Sequence, residues 1–167
     1  ACKGMESVTF PESLTLIGQN AFAGCEGLSQ LRIPQNVEEV GDSAFADCTA
    51  LHSVTICGDA TRFGSGVFSG CAGDITFELL GAAACLADGM LYTGDMTQLL
   101  HVPGTVSGYL VLPDTLQSIG AGTFSGCTGL ESVVIPDSVT EIGDRAFAGC
   151  ANLAQVRIGN GVKTIGE

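Results

Sequence analysis

A chain of 167 residues in which 46% of side chains are hydrophobic is long enough for one sizeable core, and no stretch of it reads as a linker, so one domain is expected. Its formal charge of −12, with six Lys and Arg against 18 Asp and Glu, excludes nucleic acid as a partner class. The longest apolar-rich run, around "LLGAAACLA", falls far short of the roughly 18–20 residues of a membrane helix, so this segment is not expected to insert into a membrane.

From the N-terminus, Cys2, Met5, Val8 and Phe10 fill the end of a unit whose pattern becomes explicit further on. Residues 17–25 read "IGQNAFAGC" and residues 142–150 read "IGDRAFAGC". Phe22, Phe45 and Phe68 are 23 positions apart, as are Cys25, Cys48 and Cys71, and the same interval separates Phe124 from Phe147. A catalytic sequence is needed once per site, whereas a sequence that recurs at a fixed period marks a structural unit. Units begin at Pro11, Pro34, Cys57, Leu80, Pro113 and Pro136, and the clearest is "PDSVTEIGDRAFAGCANLAQVRI", residues 136–158. The closing "GNGVKTIGE" starts one more.

Near the end of each unit "LxxVxI" is apolar at alternate positions, as at Leu130, Val133 and Ile135, which predicts a strand with one buried face. A Pro ends it. A second apolar pair such as Val139 and Ile142 follows, then Gly143 and "DRAFAGC", where one helical or 3₁₀ turn is expected to point Ala146 and Phe147 inward and Gly149 to close it at positive φ. No unit buries its own apolar face, so equivalent strands must stack on one another as a solenoid.

The fourth unit lacks the A-F-x-G-C segment. Two strand-like runs, Met90 to Tyr92 and Gln98 to Val102, flank "TGDMT" and predict a hairpin, and "PGTVSGYLVL", Pro103 to Leu112, reads as an extra piece that shifts the phase. The expected organisation is one repeat domain: regular repeats over 1–79, an irregular unit over 80–112, and regular repeats over 113–167. Half-units at both termini predict open apolar edges, covered by neighbouring copies in self-association or by further repeats of a longer array.

A period in the twenties with regular Leu, Val and Ile falls in the leucine-rich repeat range. The wording "SVTEIGDRAFAGC…L…VRI" closely resembles the BspA-like leucine-rich repeat family, and a "DGVLY…L…YP" insertion like that of the fourth unit recurs there. The resemblance covers nearly the whole chain. It implies an α/β repeat fold: a right-handed solenoid of about 23-residue units with a parallel β-sheet. It also implies a cell-surface or secreted protein that adheres to a protein ligand, such as a host or extracellular-matrix protein.

Cys2, Cys25, Cys48, Cys71, Cys127 and Cys150 share one phase and are expected to form an interior ladder of reduced, inert thiols beside the Phe row. Stacked rungs about 5 Å apart lie within the disulfide range, but parallel side chains oppose bonding. Zinc is disfavoured, because no C-x-x-C pair exists. Cys57 and Cys85 fall off the ladder; a bond between them and two unrelated substitutions are both open.

No catalytic, cofactor or metal constellation emerges. His52 follows Cys48 by four positions, but that Cys is expected to be buried and its sister cysteines have no equivalent His. "GAGTFSG" misses the G-x-G-x-x-G spacing by one residue. The acidity reads first as solubility, with a basic partner or weak Ca²⁺ binding as alternatives.

The remaining functional place is the outward face of the strand ladder. Strand alternation turns Ser7, Thr9, Gln30, Arg32, Ser53, Thr55, Thr76, Glu78, Ser132, Val134, Gln155 and Arg157 outward, and the strand ending the fourth unit is expected to add Leu99 and His101. This predicts a noncatalytic interaction module. The alternative is a spacer that carries another domain of a longer surface protein.

Overall fold

The computed structural model describes residues 2–59, 61–71 and 74–167. Its strands, in chain order, are β1 (Leu16–Ile17), β2 (Gln30–Ile33), β3 (Glu39–Val40), β4 (Ser53–Ile56), β5 (Arg62–Phe63), β6 (Thr76–Leu79), β7 (Ala84–Ala87), β8 (Met90–Thr93), β9 (Gln98–His101), β10 (Ser107–Val111), β11 (Ser118–Ile119), β12 (Gly129–Ile135), β13 (Glu141–Ile142), β14 (Gln155–Ile158) and β15 (Thr164–Ile165). They form the coils of a right-handed solenoid. Its outward sheet face comes in two pieces, β2-β4-β6 and β10-β12-β14, and the two-residue strands line the other wall as β1-β3-β5 and, together with the longer β7, β8 and β9, as β15-β13-β11-β9-β8-β7.

The 23-residue period is visible directly in the register. Gln30, Leu31, Arg32 and Ile33 pair in parallel with Ser53, Val54, Thr55 and Ile56, which pair in turn with Thr76 to Leu79. Each coil therefore lays its apolar positions on those of the last: Leu31, Val54 and Val133 are buried, as are Ile33, Ile56 and Ile135. The Phe row stacks within this core, with Phe22 and Phe45 ring centroids 5.4 Å apart and nearly parallel, and Phe124 and Phe147 4.8 Å apart. Such pairs add about 0.5–1.5 kcal/mol each beyond the area they bury.

The expected helical turn does not form; among the described residues there is no helix. In "AFAGC" the backbone N–H groups alternate. Ala21 and Ala23 donate to carbonyls three residues back, while Asn20, Phe22 and Gly24 donate to Asp42, Ala44 and Ala46 of the next coil. Positive φ at Asn20 and Gly24, repeated at Arg145 and Gly149 (φ 72°), sets this alternation and stops a helix from propagating. The expectation for Gly149 thus holds within a different turn.

The glycine after the short strand is required by close coil approach at Gly41 and Gly143. A Cβ at Gly41 would lie 2.6 Å from the Gln19 backbone nitrogen, and one at Gly143 would lie 2.5 Å from that of Ala121.

The fourth unit holds the predicted hairpin: β8 and β9 pair antiparallel, and β7 adds a further antiparallel strand across the tight turn at Asp88 and Gly89. Met90, Leu91, Tyr92, Leu99 and Leu100 are buried, so the insertion is core rather than a surface loop. Because it lacks the "AFxGC" corner, the corners of the third and fifth units meet directly, with the Ala121 N–H donating to Ser65 Oγ at 3.0 Å.

Candidate interaction face

Alternation along the longer strands decides what faces out. In β2 the side chains alternate exposed and buried, which leaves Gln30 and Arg32 outward; β4 presents half-buried Ser53 and Thr55, and β6 presents Thr76 and Glu78. Ser7, also exposed, bridges Gln30 at the start of this row. The Thr55 hydroxyl donates to Glu78 Oε2 at 3.0 Å, tying that carboxylate into the face. This first piece is small and polar.

The second piece differs. Tyr109 pairs with Ser132, which pairs with Gln155, and Val111 pairs with Val134, which pairs with Arg157. Tyr109 is 67% and Val111 57% exposed, so an aromatic ring and a valine stand in open solvent beside Ser132, Val134, Gln155 and Arg157. The two ion pairs among the described residues are Lys3–Glu26 and Arg62–Glu39, and neither involves Arg32 or Arg157. Both arginines therefore carry their charge on the sheet face without a carboxylate partner.

His101 and Leu99 do not belong to this face. Both lie on β9, in the opposite wall, and both are buried; the His101 ring packs 5.6 Å from Phe77 at the end of the Phe row. The outward strand of the fourth unit is β10 instead. Its signal was present in "VSGYLVLP", where Val106, Gly108, Leu110 and Leu112 alternate before a Pro as the strands before Pro34 and Pro136 do. The missing "AFxGC" corner hid that phase, and with it Tyr109 and Val111.

The cysteines are all free. Cys25, Cys48 and Cys127 are buried, and the Cys48 and Cys150 thiols donate to the carbonyls of Phe22 and Phe124 one coil earlier, at 3.3 and 3.0 Å. Burial pushes the Cys127 thiol up to about 11, away from thiolate chemistry. Exposed His52 contacts the backbone oxygen of Ala50, while the Cys48 thiol points into the core, so the two are not brought together. Among the described residues no three His, Cys, Asp or Glu side chains converge as a metal site.

A family model described as the BspA type leucine rich repeat region matches six copies over residues 1–82 and 107–167. The chain belongs to the BspA-type leucine-rich repeat family. The unmatched interval carries β7, β8 and β9, so the inserted hairpin is what departs from the BspA-type pattern. The crystal structure of a leucine rich cell surface protein from Faecalibacterium prausnitzii A2-165 is similar, with 28% identity and a TM-score of 0.79, over 95% of this chain and 42% of that one. The pneumococcal vaccine antigen PcpA shares the fold at 20% identity and a TM-score of 0.61, over 95% of this chain and 52% of that one. The chain thus spans about half the length of these structures or less. No curated protein matches it. Among the described residues no helix is long and apolar enough to cross a membrane.

Proposed function

We propose that this BspA-type repeat segment is a noncatalytic interaction module of a cell-surface or secreted protein, adhering to a protein ligand through the outward sheet face. The observation that carries the reading is the patch of Tyr109, Val111, Val134 and Arg157, where an exposed aromatic ring and an unpaired guanidinium sit on a rigid ladder. Tyr and Arg dominate binding hot spots because they bring large area and directed hydrogen bonds at modest entropic cost. Gln30, Arg32, Ser53, Thr55, Thr76, Glu78, Ser132 and Gln155 form the polar surround; the sheet holds them at strand spacing, so little ordering is needed on binding. Similarity to a cell surface protein supports the location, and the greater length of both solved relatives supports a place within a longer array.

The test is capture of extracellular-matrix and cell-surface proteins by the purified chain, repeated with Tyr109→Ala, Arg157→Ala and Arg32→Ala combined. Specific capture that the triple change abolishes is expected. Capture that survives it would move the site elsewhere, and no capture by the folded chain would favour the spacer reading.

A further inference from the structure

The outward sheet is interrupted between β6 and β10. β6 is hydrogen-bonded on one side to β4 and β10 on one side to β12, and no main-chain hydrogen bond joins β6 to β10. Strand geometry says which groups this leaves open. Thr76 and Leu80 donate to His52 and Ile56 on the β4 side, so the intervening Phe77 and Leu79 direct their N–H and C=O groups toward the interruption. Leu112 donates to Val134 on the β12 side, so Tyr109 and Val111 direct theirs toward it from the opposite edge.

The core is also open at this seam. In the neighbouring strands the inward positions Val54, Ile56 and Val133 are fully buried. On the two strands that border the interruption, the corresponding Phe77, Leu79 and Leu110 are only half-buried, and Leu80 beside them is 59% exposed. Free strand edges and incompletely covered inward apolar side chains are what a parallel ladder leaves open where its pairing is interrupted, here between the strands of the third and fourth units.

Charge narrows the occupant. From Phe63 to Asp144 there is no Lys or Arg, while nine Asp and Glu fall in that span. We propose that the seam between β6 and β10 is a strand-addition site for an extended polypeptide segment with apolar residues at alternate positions and basic residues between them. The backbone edges recognise its amides, Leu79 and Leu110 take its apolar side chains beside Phe77, and the exposed Glu78 carboxylate on β6, in a stretch of chain without Lys or Arg, favours its cations. A second copy of this chain fits less well, because it would bring a like charge of −12. The site uses strand edges rather than outward side chains, so it does not depend on the adhesive reading of the face.

The probe is a synthetic peptide of about six residues alternating valine and lysine, followed by fluorescence anisotropy and by amide exchange of the protein. Saturable binding is expected, with the Phe77, Leu79, Tyr109 and Val111 amides exchanging readily in the free protein and becoming protected in the complex. N-methylation of the amides on one edge of the peptide keeps charge and side chains but removes its donors, and is expected to weaken binding about tenfold or more. Leu79→Pro removes a seam donor while leaving the β4 ladder intact, and is expected to weaken binding similarly. If that variant fails to fold, the exchange pattern decides. The proposal is overturned by no binding, by equal affinity of the N-methylated peptide, by folded Leu79→Pro binding as wild type does, or by protection appearing elsewhere.

Discussion

The Cys150 thiol donates to the Phe124 carbonyl 3.0 Å away in the preceding coil, and Cys48 does the same to Phe22. The recurring Cys thus gives the coil-corner carbonyl, which already accepts a backbone N–H from its own turn, a second donor from the next coil. Replacing Cys48 by Ala removes both donor and sulfur from a fully buried position and is expected to cost about 1–3 kcal/mol in urea denaturation. Cys2→Ala, at an exposed position, should change stability by less than about 0.5 kcal/mol. Equal effects at the two sites would refute the corner role.

Alkaline stability follows from the same burial. The Cys127 thiol is raised from 9.0 to about 11 in the folded chain, and the Tyr92 phenol from 10.0 to about 12, both chiefly by desolvation. A folded-state pKa above the unfolded one means that the unfolded chain releases its proton first as pH rises. The stabilisation is therefore complete below about pH 9 and is lost progressively between pH 9 and 12. Denaturation midpoints should be flat from pH 7 to 8.5 and fall above that, and Cys127→Ala should show the shallower fall from pH 9 to 11. Parallel curves for the two proteins would contradict the assignment.

Much of this architecture could be read from the period alone, because a solenoid repeats one local solution and Phe22, Phe45 and Phe68 report it three times. The hairpin was legible too, from two apolar runs around "TGDMT". Two features were not. "AFAGC" looks helical to propensity, yet its conformation is set by hydrogen bonds to the next coil, which one unit read in isolation cannot display. The outward strand of the fourth unit was assigned to β9 because the missing corner broke the count, so buried His101 stood in for exposed Tyr109.

That substitution separates stability from binding. His101→Ala removes a buried ring packed on Phe77 and should lower stability by about 2–4 kcal/mol while leaving ligand capture by the folded protein unchanged. Tyr109→Ala, on the outward face, should leave the denaturation midpoint nearly unmoved and weaken capture by about tenfold or more. Running denaturation and capture on both variants decides it; a His101 variant that folds normally but fails to capture would return that residue to the site.

The glycine row offers the sharpest contrast in backbone packing. At Gly143 a methyl group would meet the Ala121 nitrogen at 2.5 Å, and that nitrogen belongs to a coil already held by the Ala121 to Ser65 hydrogen bond, so neither side has room to retreat. Gly4, by comparison, has nothing within 4 Å of the same hypothetical atom. Gly143→Ala should therefore cost about 2–4 kcal/mol by prying two coils apart, whereas Gly4→Ala should be neutral or slightly stabilising through the less flexible unfolded chain. Because each coil rests only on its neighbours, the damage should spread along the stack: amides of β13 and β15, next in line after β11, should lose exchange protection before those of β2 and β4. Uniform loss of protection would mean that the coils unfold as one unit and that the hairpin couples the two halves of the core more tightly than nearest-neighbour stacking implies.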